Sequence, residues 1–298
     1  MKISFRRSVL YVPGDSEKML QRAAGIAADV LLLNLEDGVA SSRKEAARDN
    51  VAKALRDLDF GDREVVVRVN RLNATCGRSD LAGIVPLGPA GICLPKVERA
   101  ADIDEVGKAI LDLELRNDMP EGGIRLHAMI ESAAGVLRAP EIAAASPRMA
   151  SLIFGSADYA ADVRCRPGED RSELLLALQM IINAARSAGI DAIDGPCFDI
   201  RNRNLLESES IHARRLGFDG KSALHPDQLE PINRIFDVTN EEIAWAEKVL
   251  AELKEAESRG KALTTVDGIL FDNPHRLAAE RILLRRKLSS VRSRQIHR

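Results

Sequence analysis

The chain has 298 residues, 45% of them hydrophobic and 30% charged, with a formal net charge of −2, a near-balance that gives no global attraction to nucleic acid or to an anionic membrane surface. Cys76, Cys93, Cys165 and Cys197 stand far apart and form no CxxC or Cys/His cluster, so neither a disulfide framework nor a zinc site is indicated. No apolar run reaches membrane-spanning length, and charged Lys2, Arg6 and Arg7 lead straight into a strand-like run, so a cytoplasmic protein is expected.

Short apolar runs recur along the chain at the roughly 25–35 residue interval that a βα unit produces. In order they are 8–12 (SVLYV), 30–35 (VLLLNL), 65–70 (VVVRVN), 91–95 (GICLP), 126–131 (LHAMIE), 151–155 (SLIFG), 191–193 (DAI) and 218–224 (FDGKSAL). They are mostly continuous rather than alternating, as parallel strands buried on both faces should be. Helical stretches lie between them: 44–58 after a Ser42 cap, and 172–188 with Leu175, Leu178, Ile181 and Ile182 at helical spacing. Eight such units predict an α/β fold, a TIM (β/α)₈ barrel over 1–238. A doubly wound sheet is the rival, but Val12-Pro-Gly-Asp-Ser after the first run is a turn, not a GxGxxG phosphate cradle.

Beyond the barrel, 239–298 reads as a C-terminal helical extension, a lid or an oligomer arm. It comprises a charged amphipathic helix at 240–259, a loop at 260–272 with a short apolar run, and a second helix at 274–288. The basic tail after Glu280, with Arg285, Arg286, Lys287, Arg292, Arg294 and Arg298, reads as a frayed, solvated terminus.

In a barrel, chemistry gathers where strands end and βα loops begin, so charges closing apolar runs mark the site. Glu36 and Asp37 follow the second run, Arg68 and Asn70 lie in the third, and Lys96 follows the fourth. Glu131 ends the fifth and Asp158 lies just after the sixth. One βα repeat apart on adjacent strands, Glu131 and Asp158 repel unless a cation lies between them or each pairs with a nearby Arg or Lys. Arg68 sits within a Val-rich strand, either as a clamp for a substrate oxygen or as a salt bridge to Glu36 or Asp37. His127 reads as a packed histidine. His225, before a proline, either faces the site or fixes its loop. No Ser/His/Asp or Cys/His pattern supports a covalent nucleophile.

Eight motifs in order carry a family resemblance: RSVLYVPG (7–14), LNLEDGV (33–39), VRVN (67–70), LPKVE (94–98), MIESAAGV (129–136), FGSADYAAD (154–162), LGFDGKSALHPDQ (216–228) and VDGILFDNP (266–274). With these, nearly the whole chain resembles the citrate lyase beta-subunit-like branch of the HpcH/HpaI aldolase superfamily, which includes malyl-CoA and citramalyl-CoA lyases. The resemblance implies a Mg²⁺-dependent carbon–carbon lyase that cleaves or forms a carboxylated 3-hydroxyacyl-CoA, giving a 2-oxo acid and acetyl-CoA. It implies Glu131 of MIES and Asp158 of FGSAD as metal ligands, with Glu131 beside the substrate, and Arg68 of VRVN as the substrate-contacting arginine. Asp272 of LFDNP matches an aspartate used in proton transfer by members with a closing C-terminal segment. Glu36, Asp37 and Lys96 are expected to line the site, and a homo-oligomer, trimer or hexamer, is expected.

Two departures stand out. Asn34 occupies a position where the family usually has aspartate, and Ser222-Ala stands where an apolar pair is common. For the CoA phosphates, Lys18, Arg22 and Lys96 are candidates by charge alone. Three other readings share the motifs: an acyl-CoA thioesterase on the same Mg²⁺ site, a citryl-carrier-protein lyase subunit of a citrate lyase complex, and a non-catalytic interaction protein on an inherited barrel.

Overall fold

The computed structural model describes residues 5–296. Two compact units divide it, one spanning Arg6–Ile235 and one beginning at Phe236. In the first, β1 (Ser8–Pro13), β2 (Val30–Asn34), β3 (Glu64–Arg68), β4 (Gly91–Leu94), β5 (Arg125–Ile130), β6 (Met149–Phe154), β7 (Asp191–Asp194) and β8 (Gly220–Ala223) close into a parallel barrel in chain order. β8 returns to β1 with Val9 opposite Ser222. Helices connect the strands, and the expected TIM barrel is present.

Most of the strands are short runs rich in Val, Ile and Leu, packed on one another inside the barrel and covered outside by helices, while β8 (GKSA) is held between its two neighbours. Val9, Leu32, Val66, Cys93, Met129, Ile153 and Ile193 pack together in one buried cluster drawn from successive strands. Register then decides what the strand ends present. Asn34 at the end of β2 lies opposite Arg68 at the end of β3, Arg68 lies opposite Cys93, and Ile130 lies opposite Phe154.

The other end of the barrel, where strands begin, is closed by paired charges. Arg6 binds Glu64 at 2.5 Å and Asp191 at 2.6 Å. His127 on β5 is buried there, with Nδ1 2.8 Å from Ser151 Oγ and Nε2 3.6 Å from Glu64 Oε1. Burial pushes its imidazole down to about 4, so it packs as a neutral ring, as the sequence suggested. In TIM barrels this face carries stability rather than chemistry.

A second buried charge group lies between β7, β8 and the helix Arg203–Leu216. Lys221, fully buried, reaches Asp194 Oδ2 at 2.7 Å, Gly195 O at 2.7 Å and Glu209 Oε2 at 2.9 Å. Arg171 completes it with two bonds to Asp194, at 2.6 and 2.8 Å. Burial would raise the Asp194 carboxyl, but Lys221 and Arg171 hold it well below the usual carboxylate range.

Several local expectations are corrected. The helix Lys44–Asp57 follows a short 3₁₀ turn at Ser41–Arg43 and takes Arg43 as its N-cap without a side-chain bond, so Ser42 does not cap it. In the second unit, the segment expected as a loop holds two antiparallel strands, β9 (Thr264–Val266) and β10 (Ile269–Phe271). Asp267 and Gly268 join them, both with positive φ, at 50° and 79°. That is the Asp-Gly hairpin signal, on strands too short for alternation to mark them in the sequence. The preceding helix, Asn240–Ser258, is capped by a reciprocal Thr239–Glu242 box.

The last helix runs Asn273–Ile296, well past the expected end, and so replaces the frayed tail. Arg285 donates to Phe236 O at 3.1 Å and Arg286 pairs with Glu247 at 2.9 Å. Lys2 and Arg298 lie outside the described residues, and the helical positions of Arg292 and Arg294 are described without their side chains. Ala246, Val249, Leu253, Phe271 and Ala279 form this unit's core. No described helix is long and apolar enough to cross a membrane.

Candidate active site

The in-register ends of β2 and β3 build one polar wall. Arg68 is 7% exposed, a position a lone guanidinium does not tolerate, and the chain surrounds it with acceptors. Its Nε donates to Asn34 Oδ1 at 2.8 Å and its Nη2 to the Asp37 carbonyl at 3.0 Å. Nη1 meets Met129 Sδ at 3.4 Å and Glu36 Oε2 at 3.4 Å, and the guanidinium carbon stands 5.1 Å from the centre of the Tyr11 ring. Asn34 also accepts from the Glu36 N–H at 3.0 Å and donates to the Asp37 carbonyl, while Glu36 accepts from the Asp37 N–H. Lys96 closes the group, with Nζ 2.9 Å from Asp37 Oδ2 and 3.3 Å from Glu36 Oε1. Burial pulls the Asp37 carboxyl up, yet its bond to Lys96 and the Lys96 and Arg68 charges hold it below the ordinary range.

The second wall comes from β5 and β6. Glu131 follows β5 directly and is 3% exposed, its Oε1 accepting from the Lys96 N–H at 2.6 Å. Asp158 lies past β6 on the first turn of the helix Ser156–Val163, so it is a helical residue rather than a strand end. Burial pushes the Glu131 carboxyl up to about 7; the Lys96 N–H opposes this and the Asp158 charge adds to it. Gly155 makes the close approach of the β6 end to Glu131 possible, because a Cβ there would run into the Glu131 side chain.

Arg68, Glu131 and Asp158 all line one cavity of 490 Å³, together with Tyr11, Asn34 and Asp37. Glu36 and Lys96 stand behind this lining and reach it through Arg68 and Asp37. Met19, Ile26, Phe198 and Leu224 give the cavity an apolar part of its lining, and Arg22 and His225 line it as well. His225 also fixes its own loop, its Nδ1 accepting from the Asp227 N–H at 3.3 Å. Of the candidates chosen by charge, Arg22 lines the cavity and Lys96 is committed to Glu36 and Asp37. Lys18 is exposed elsewhere on its helix.

The donor set suits a hard divalent cation. Among the described residues, no group of three or more His, Cys, Asp or Glu side chains converges to cage a metal. Two carboxylates with open space beside them match Mg²⁺, which keeps several positions for water and substrate oxygens. A Glu131 carboxylate made costly by burial and by a like charge is the environment a cation reverses.

Asp272 belongs to the other unit. There its Oδ1 lies 2.6 Å from His275 Nδ1 and its carbonyl accepts from the Arg276 N–H at 3.1 Å, so it anchors the start of the last helix. Tyr11 and Met129 also line the cavity; they lie in RSVLYVPG and MIESAAGV, and a tyrosine in a chain with two of them is the signal that marks the first.

Comparison with known proteins follows the same residues. A family described as HpcH/HpaI aldolase/citrate lyase matches 7–226, and a C–C bond lyase family of the TIM-barrel fold matches 173–291. The citrate lyase subunit beta of Leuconostoc mesenteroides subsp. cremoris is 37% identical over 278 residues, covering 93% of this chain and 92% of that one. A (3S)-malyl-CoA thioesterase of Cereibacter sphaeroides is 38% identical over 277 residues, covering 93% of each. Among solved structures, CitE of Mycobacterium tuberculosis in complex with magnesium, acetoacetate and coenzyme A superposes with a TM-score of 0.75 at 29% identity, covering 95% of this chain and 98% of that one. The barrel, the motifs at its strand ends and these matches agree: the chain belongs to the HpcH/HpaI aldolase/citrate lyase family.

Proposed function

We propose that the protein is a Mg²⁺-dependent carbon–carbon lyase acting on a carboxylated 3-hydroxyacyl-CoA of the malyl-, citramalyl- or citryl-CoA class. The observation that carries this reading is the meeting of Glu131, Asp158 and Arg68 on one cavity. The Mycobacterium tuberculosis relative bound to magnesium, acetoacetate and coenzyme A supports it.

Glu131 and Asp158 would hold the ion, which when bound supplies Lewis-acid stabilisation to the oxygens of a 2-hydroxy or 2-oxo acid. The residues do the rest. A base would take the hydroxyl proton, and the electrons of the breaking carbon–carbon bond would move into the thioester, giving a 2-oxo acid and an acetyl-CoA enolate. Arg68, held in the cavity lining by Asn34 and Asp37, would stabilise that developing charge. Met19, Ile26 and Phe198 add apolar lining to the cavity. Proton return to the enolate carbon is the role proposed for Asp272, on the family resemblance.

A second reading, hydrolysis of the thioester, is favoured by the 38% identity to a (3S)-malyl-CoA thioesterase. One assay separates the two. Purified protein with Mg²⁺ is given malyl-, citramalyl- and citryl-CoA while free CoA and 2-oxo acid are followed. A 2-oxo acid with acetyl-CoA supports the lyase; free CoA without 2-oxo acid replaces it with the thioesterase. Activity confined to carrier-protein-bound citryl groups would instead mark a citrate lyase subunit.

A further inference from the structure

Lys96 stands between the two walls of the cavity in a backbone conformation that L-residues avoid, with φ at 51°. Such a residue costs on the order of 1–3 kcal/mol and persists only where its surroundings over-determine it. Two sets of contacts do so. On the backbone side, its N–H points at Glu131 Oε1, 2.6 Å away, and the next N–H, of Val97, donates to the Met129 carbonyl at 3.1 Å. The loop after β4 is thereby turned back onto the end of β5. On the side-chain side, Nζ is 2.9 Å from Asp37 and 3.3 Å from Glu36. Glu36 in turn reaches Arg68 at 3.4 Å, and the Asp37 carbonyl accepts from Arg68 Nη2.

One residue therefore holds the carboxylate of one wall through its main chain and the arginine of the other through its side chain. We propose that Lys96 is a positioning residue that couples the two: its N–H orients Glu131 toward the cation, and its ammonium fixes the 36–37 loop that aims Arg68. The inference rests on the Mg²⁺ reading of Glu131 and Asp158. Lys96 itself touches no substrate in this account, and its two contributions are separable by substitution.

Lys96→Gly keeps the N–H and adopts positive φ without penalty, so only the ammonium is lost. Lys96→Ala loses the ammonium and leaves the strained backbone unopposed, so the N–H swings away from Glu131. Binding of Mg²⁺ alone, and of pyruvate in the presence of Mg²⁺, is measured by calorimetry on wild type and both variants, with thermal melts to confirm folding. Lys96→Gly is expected to bind Mg²⁺ within about threefold of wild type but pyruvate about tenfold more weakly. Lys96→Ala is expected to lose about tenfold or more in Mg²⁺ affinity as well. A residue serving only stability would lower both melting temperatures and leave both affinities unchanged, which would overturn the inference. So would wild-type pyruvate binding by Lys96→Gly, or wild-type Mg²⁺ binding by Lys96→Ala. A wild-type chain that binds no Mg²⁺ would overturn the metal reading itself.

Discussion

Gly155 stands so close to Glu131 that a Cβ at position 155 would occupy the space of the Glu131 side chain. The backbone fixes this proximity, since the Gly155 N–H donates to the Ile130 carbonyl at 3.0 Å, in the strand pair that carries Glu131. Gly155→Ala must therefore push the carboxylate out of its place. Overpacking of this kind costs about 1–3 kcal/mol. A displaced ligand is expected to weaken Mg²⁺ binding about tenfold or more. Calorimetric titration with Mg²⁺ is the check, and a wild-type affinity in Gly155→Ala would show that Glu131 is free to move.

The buried Glu131 carboxyl makes the metal-free protein sensitive to base. Its value is raised from 4.5 to about 7 by burial, with the Asp158 charge adding to it, so the native state binds the extra proton between those limits. The stability this contributes is present below about 4.5 and is lost as pH rises through 7, a loss of about 3 kcal/mol. Glu131→Gln should remove the decline in stability toward high pH and leave the opposite rise that His127 contributes, and Mg²⁺ should restore stability of the wild type at high pH. Melting temperatures from pH 5 to 8, with and without Mg²⁺, test this; a wild-type profile that matches Glu131→Gln would refute it.

His127 works in the opposite sense. Its value falls from 6.5 to about 4 through burial, so the unfolded chain binds the extra proton as the medium becomes acid. The corresponding stability is present above 6.5 and lost as pH falls to about 4, again about 3 kcal/mol. Glu131 and His127 partly cancel where their ranges overlap, so the wild-type curve understates both. Urea denaturation of His127→Gln should reveal a flatter acid limb, and an unchanged limb would assign the acid sensitivity elsewhere.

Lys221→Met removes the ammonium that bridges Asp194, Gly195 and Glu209. Breaking a buried pair by deleting one partner costs about 3–5 kcal/mol. Arg171 remains on Asp194, which places the expected loss near the lower limit, about 3 kcal/mol. A loss below about 1 kcal/mol in chemical denaturation would mean that Arg171 alone holds the carboxylate.

The barrel was legible because most of its strands are short apolar runs and helices follow them at a regular interval. The polar site was legible as residues and not as a network. Charges ending apolar runs identified Arg68, Glu131 and Asp158, and these do line one cavity. That Arg68 leans on Asn34 depends on the β2–β3 register, and sequence periodicity does not specify register between strands. The left-handed turn at Lys96 carries no compositional mark, since glycine or asparagine is the residue that announces such a turn. The Lys221 group was invisible for a related reason: Lys221 and Glu209 lie on separate elements, and each reads as a solvated charge until the fold buries it. In the second unit, the Asp-Gly turn was readable, but three-residue strands leave too little alternation to detect.

The cavity has two sides of different construction, and they are open to change in different degrees. The polar side is interlocked, so replacing one of Asn34, Glu36, Asp37, Arg68 or Lys96 leaves its neighbours with unmet hydrogen bonds or charges. The apolar lining comes from Met19, Ile26, Phe198 and Leu224, whose side chains carry no charge. A lineage built on this barrel can therefore exchange residues there singly, reshaping what the cavity admits while the polar side stays intact. Diversification by such steps would yield relatives that share a reaction centre and differ in cargo.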